Sequence, residues 1–97
     1  IDQAHAHGIL VYGATLLPFG GSFYDSAVHE EARQQVNQWI RTSGNFDAVI
    51  DLDMALRDPA NPSRLLPAAD TGDHLHPNET GHRFMAEAVD LNLFIED

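Results

Sequence analysis

The sequence predicts an α/β domain built on a parallel sheet. Two short apolar runs, residues 9–14 and 46–52, lack the alternation of half-exposed strands and read as strands buried on both faces. Between them the apolar residues recur at helical spacing, so the order is strand, helix, strand, with the two strands parallel. A chain of 97 residues is a single-domain length, residues 1–97, and folding at that size buries roughly two-thirds of the unfolded surface.

Each element has its own local signals. Residues 1–7 read as the last turns of a helix closed by Gly8, with His5 and His7 near the negative end of its dipole. Nothing upstream supplies an N-cap, and this predicts a fragment of something longer. Residues 15–24 hold Pro18, Gly20, Gly21 and Ser22 and read as a loop. Asp25 or Ser26 can cap the following helix, whose expected inward stripe is Val28, Ala32, Val36, Trp39 and Ile40, ending at Gly44. Residues 53–77 carry Pro59, Pro62, Pro67 and Pro77 and predict a long loop with at most one helical turn near Met54. Asn78 can cap a last helix bearing Phe84, Met85, Ala88 and Val89, and residues 91–95 are apolar enough to pack.

Composition excludes several functions. The net charge is −10, with 15 acidic residues against 5 basic ones, all arginine. Phosphate binding needs clustered Lys and Arg, so nucleic acid is not an expected partner. No apolar run approaches the ~20 residues of a membrane span. Without cysteine there is no disulfide, thiolate metal site or cysteine nucleophile. Residues 1–45 hold two arginines and four acids, and residues 46–97 hold three and eleven. The carboxylates of the second half, Asp51 and Asp53 among them, read mostly as solvated loop ends or caps.

Chemistry concentrates in Gly72-Asp73-His74-Leu75-His76-Pro77-Asn78. A carboxylate three residues before a histidine can fold back in a turn and accept the imidazole Nδ1–H. Nε2 is then left as a base, and the carboxylate stabilises the imidazolium formed in acyl transfer. The same spacing also suits an ordinary loop with solvated Asp and His. His5-Ala6-His7 and His74-Leu75-His76 have a chelating spacing, but the first lies on a helix where i and i+2 diverge, and the second lacks further ligands in order. No metal or cofactor is expected.

Asp73-x-x-His76-Pro77 resembles the last conserved block of the SGNH/GDSL-type serine esterases and lipases. The resemblance covers nearly the whole chain in family order. Val11-Tyr12-Gly13-Ala14-Thr15-Leu16-Leu17-Pro18-Phe19 is similar to a late central strand and its loop, and Glu31 to Ile40 to the following helix. Phe46 to Asp51 is similar to the last strand, and Gly81 with Met85-Ala86 to the closing helix. The likeness is greatest to bacterial, often secreted, members. It implies part of a flavodoxin-like three-layer α/β/α sandwich, about half of the hydrolase fold, acting on small carboxylic esters. It also implies His76 as general base and Asp73 as its orienting carboxylate.

The sequence departs from the family where the nucleophile should be. There is no Gly-Asp-Ser block, no Gly-x-Asn-Asp block and no family oxyanion glycine; the only Gly-Asp is Gly72-Asp73. Much of acyl-transfer catalysis depends on oxyanion donors. Ser22 follows the first strand beside Gly20 and Gly21, whose N–H groups could serve, and is either a local nucleophile or a helix-entry serine. Ser26 reads as a cap, and Ser43 and Ser63 have no supporting neighbours. A two-stranded parallel sheet leaves unpaired edges, so the chain is expected to associate with itself or to lack an N-terminal half. The functions left open are the His–Asp portion of a serine esterase, a non-catalytic self-associating fragment, and a weak histidine- or metal-dependent esterase.

Overall fold

A computed structural model describes residues 1–95 of the chain. The order is α1 (Asp2–Ala6), β1 (Tyr12–Ala14), α2 (Ala27–Thr42), β2 (Ala48–Ile50), α3 (Leu52–Leu56), β3 (Arg57–Asp58), β4 (Asn61–Leu65) and α4 (Glu79–Glu87). Two 3-10 turns, Pro67–Ala69 and Leu91–Phe94, flank α4. The fold is α/β, with a parallel pair and helices compatible with part of a flavodoxin-like sandwich.

The sheet that organises the chain is β1 paired parallel with β2, in register Tyr12 to Ala48, Gly13 to Val49 and Ala14 to Ile50. Both strands are shorter than the apolar runs, and neither is buried on both faces as expected, since Ile9 and Leu10 before β1 and Val49 within β2 are exposed. Strand β2 ends where Asp51 turns to cap α3, accepting from Met54 N. Single hydrogen bonds prolong the pairing at each end, Asp47 N to Val11 O at 2.8 Å and Thr15 N to Ile50 O at 3.2 Å. Gly13 is needed where it stands: a Cβ there would sit 2.8 Å from the Phe46 ring.

Ser26 caps α2, its side chain accepting from His29 N, and Gly44 follows the helix in the left-handed region at φ 74°. Its buried face differs from the expected one. Ile40 is buried as expected, but Val28, Ala32, Val36 and Trp39 are exposed, and Arg33 and Asn37 point inward in their place. Polar partners explain the exchange. Asn37 Oδ1 accepts from Leu16 N at 2.7 Å and its Nδ2 donates to Leu16 O at 3.0 Å, pinning the chain just beyond β1.

The stretch expected to be a long loop contains structure. Helix α3 runs into a hairpin in which β3 pairs antiparallel with β4, Arg57 opposite Leu65 and Asp58 opposite Asn61. Asp58 Oδ1 accepts from Ala60 N at 2.9 Å in the turn. Strand β4 reads Asn-Pro-Ser-Arg-Leu, which has almost no apolar alternation to reveal it. Leu56, Leu65, Ala69 and Ile40 form the buried apolar core, with α4 packed on α3 and on the Pro67–Ala69 turn. The Leu91–Phe94 turn packs only in part: Tyr12 Oη donates to Leu93 O and its ring meets Phe94 edge-on at 5.8 Å, while Leu91, Phe94 and Ile95 stay exposed.

Candidate active site

Residues 70–77 form a loop closed at its base by a bridge between Asp70 and Pro77, with Thr71 N donating to His76 O at 3.1 Å. Asn78 fastens this base to α4. Its Oδ1 caps the helix by accepting from Gly81 N at 2.9 Å, and its Nδ2 donates to Ala68 O at 2.9 Å and Asp70 O at 3.2 Å. Gly81 lies so close to the preceding turn that a Cβ would meet Ala69 O at 2.7 Å.

Within the loop Asp73 turns back on His76. Its Oδ2 lies 2.6 Å from His76 Nδ1, and its Oδ1 accepts from His76 N and Leu75 N, each at 2.9 Å, and from Thr71 Oγ1 at 2.8 Å. The His76 ring first, then those N–H groups and the hydroxyl, hold the Asp73 carboxyl well below the usual carboxylate range. An ionised Asp73 accepts from Nδ1–H, so His76 carries its free lone pair on Nε2. The His76 side chain is 69% exposed, which leaves that nitrogen accessible.

A second pair of the same kind precedes it, and the sequence reading missed it. Asp70 Oδ2 lies 2.6 Å from His74 Nδ1, and Asp70 Oδ1 accepts from Gly72 N at 2.8 Å and His74 N at 3.0 Å. Burial opposes the charge on Asp70, yet hydrogen bonds from Gly72 N–H and from the ring and backbone of His74 outweigh it and lower its pKa. The available signal was the Asp-x-x-x-His spacing, overshadowed by the histidine's chelating interval with His76.

Ser22 sits in the loop after β1, its Oγ accepting from Tyr24 N at 3.2 Å. Among the described residues no hydrogen bond joins it to His76 or Asp73. The neighbouring amides are engaged within the fold, against expectation: Gly20 N donates to Ser63 O at 2.7 Å and Gly21 N to Asp25 Oδ2 at 2.9 Å. Ser26 is the cap of α2, and among the described residues the hydroxyls of Ser43 and Ser63 make only local hydrogen bonds.

A second polar centre lies where the strands end. Asp53, expected to be solvated, is 1% exposed and receives three arginines: Arg33 Nη1 at 2.7 Å, Arg41 Nη2 at 2.8 Å and Arg57 Nη1 at 3.1 Å. Arg41 also grips Asp51 through Nε at 2.8 Å and Nη2 at 2.9 Å, and chiefly this pair holds the Asp51 pKa down at about 2. Arg33 completes the cluster with two bonds to Glu30, at 2.9 and 2.6 Å. Three cations thus face three carboxylates. Thr15 Oγ1 ties the cluster to β1, donating to Asp51 Oδ1 and accepting from Asp53 N, both at 2.9 Å.

His5 Nε2 contacts Asp47 Oδ2 at 2.7 Å and holds α1 to the entry of β2. Among the described residues, no three His, Asp or Glu side chains converge in a way that could hold a metal ion. No helix among them is long and apolar enough to cross a membrane.

A parallel α/β chain with a carboxylate-paired histidine in the loop before its last helix has the outline of a hydrolase of the flavodoxin-like type. Residues 1–84 match the sequence model of the GDSL-like lipase/acylhydrolase family, and the chain belongs to that family. Among curated proteins none matches the chain. Membership makes the hydrolysis of esters and acyl groups its kind of chemistry and esters its class of substrate. Both Asp73 and His76 fall within the matched span.

Proposed function

We propose that His76 is the general base and Asp73 its orienting carboxylate in the hydrolysis of carboxylic esters, with the serine nucleophile supplied from outside these 97 residues. The contact of Asp73 with His76 Nδ1 at 2.6 Å carries this reading. Nε2 takes the proton from the attacking serine hydroxyl as it adds to the ester carbonyl. Asp73 stabilises the resulting imidazolium, which returns the proton to the departing alkoxide. Water, deprotonated by the same nitrogen, then adds to the acyl carbonyl, and the proton passes from the imidazolium to the departing serine oxygen as the carboxylic acid is released. Ser22 is the alternative nucleophile within the chain. The amides of Gly20 and Gly21, the oxyanion donors that loop could have offered, are engaged elsewhere, and this favours an external serine.

The test is p-nitrophenyl acetate hydrolysis by the full gene product that carries these residues. His76→Ala is expected to lower kcat by about 10³-fold or more, and Asp73→Asn by a comparable factor, because the tautomer is lost. Ser22→Ala is expected to leave kcat within about twofold; a loss as large as that of His76→Ala would move the nucleophile to Ser22. Equal rates for wild type and His76→Ala would remove the assignment.

A non-catalytic, self-associating role has its own supporting observation. Val28, Val36 and Trp39 line one exposed side of α2, Phe23 is 88% exposed, and the parallel pair has only two strands. Such a chain would sediment as a dimer or larger and show no turnover above buffer.

A further inference from the structure

We infer that Asp70 and His74 are positioning residues for the Asp73–His76 pair: they fix the left-handed turn through which Asp73 reaches His76. This rests on the catalytic reading of His76 for its effect on rate, though not for its effect on geometry.

His74 is the only non-glycine residue with positive φ among those described, at 63°. Such a conformation costs of order 1 kcal/mol for an ordinary side chain and persists only where its surroundings hold it. Here the holder is Asp70. Its side chain is 8% exposed, and it grips His74 at both the backbone N–H and the ring Nδ1 while also accepting from Gly72 N. His74 lies between Asp73 and Leu75, at the centre of the segment whose N–H groups Asp73 collects. A left-handed residue there swings Leu75 N and His76 N round to one oxygen of Asp73, each at 2.9 Å, and leaves the other oxygen for the His76 ring. If His74 relaxes to the ordinary right-handed or extended backbone, those two N–H groups point elsewhere and the ring pairing loses its frame. The two Asp–His pairs thus act in series, the first setting the backbone on which the second is assembled.

Imidazole ¹⁵N chemical shifts of this chain, which report which ring nitrogen carries the proton, test the geometric claim without any reference to turnover. Wild type is expected to show His76 as the Nδ1–H tautomer. In His74→Ala, which has neither the pairing nor tolerance of positive φ, His76 is expected to become a mixture of tautomers. His74→Asn, which tolerates the backbone and can donate to Asp70, is expected to restore it. Asp70→Ala removes the holder and leaves His74 in place; it serves if the alanine variant at position 74 does not fold, and the same mixture is expected. His74→Gly adopts the left-handed backbone without strain and is expected to keep the tautomer. An unchanged His76 tautomer in a folded His74→Ala or Asp70→Ala overturns the inference. In the full gene product, kcat for p-nitrophenyl acetate is expected to fall about 10- to 10²-fold in His74→Ala with KM within twofold, and to recover in His74→Asn. A lost tautomer with unaltered kcat would uphold the positioning and overturn the catalytic role of His76 instead.

Discussion

Asp53→Asn tests whether the arginine cluster supports the fold. The substitution keeps the shape of the side chain and removes one of the three carboxylates facing Arg33, Arg41 and Arg57. Arg41 and Arg57 are 27% and 32% exposed and can turn toward water. Arg33, at 1%, cannot, and is left with Glu30 alone to balance it. Breaking a buried ion pair from one side costs about 3–5 kcal/mol, and the remaining Glu30 contact together with the asparagine carbonyl places this case near the lower end. On a domain whose whole stability is about 5–15 kcal/mol, a loss of about 3 kcal/mol is large and lowers Tm by roughly 12–24 °C. Thermal unfolding followed by far-UV circular dichroism reads it. A double variant, Asp53→Leu with Arg33→Met, removes the stranded charge together with its partner and is expected to recover most of the loss. Glu30 then lacks its arginine but keeps a path to water, since its side chain is 21% exposed. An Asp53→Asn protein within about 1 kcal/mol of wild type would refute the reasoning, as would a double variant no more stable than the single one.

Two further outcomes follow from the same structure. Gly20→Ala places a Cβ 2.4 Å from the Ser63 carbonyl oxygen, a backbone atom that cannot swing aside, so denaturant unfolding should show a loss of about 1–3 kcal/mol; an unchanged midpoint would mean that β4 is free to move. Asp51, held at about 2 chiefly by Arg41, contributes stability that is present above the unfolded carboxyl pKa and lost as pH falls through its folded value. Between about pH 4 and pH 2 wild type should therefore lose about 1–2 kcal/mol from this group, the figure being reduced for solvent screening, and Arg41→Gln should show a shallower decline.

What the sequence revealed depended on how local each cause is. Helix α2 was legible from Ser26 to Gly44 because cap and stop act within a few residues, and the parallel pair because each strand lies in an apolar run, although neither strand is buried on both faces here. The inward face of α2 was not legible. Periodicity assigns apolar residues inward, but here the residues facing the helix are Asp53 and the carbonyls of Leu16 and Pro62, brought in from distant parts of the chain, and they select Arg33 and Asn37. Hairpin β3–β4 escaped notice because its partners are hydrogen-bonded backbones with little apolar alternation. The Asp73–His76 contact was readable because three residues suffice to form it. Asp70–His74 needs only one more, and went unread because the positive φ at His74 leaves no mark in the sequence.

The same locality separates the site from the stability of the domain. Among the described residues, all the hydrogen bonds that the Asp73 side chain accepts come from residues 71–76, and the side-chain oxygens of Asp70 serve only Gly72 and His74. The rest of the fold need not build the Asp–His pair; if His76 is the proposed base, it needs to aim Nε2. That aim passes through a series of contacts, from the arginine cluster that ties α2 and β1 to α3, through α3 packed on α4, to Asn78 and Gly81 seating the first turn of α4 on the Pro67–Ala69 turn. Weakening the cluster should therefore lower the melting temperature while the histidine tautomer persists in the folded molecules. Disturbing His74 should do the reverse, altering the tautomer at little cost in stability. On the proposed reading, the arrangement places chemistry in a self-supporting loop and orientation in the α/β frame beneath it.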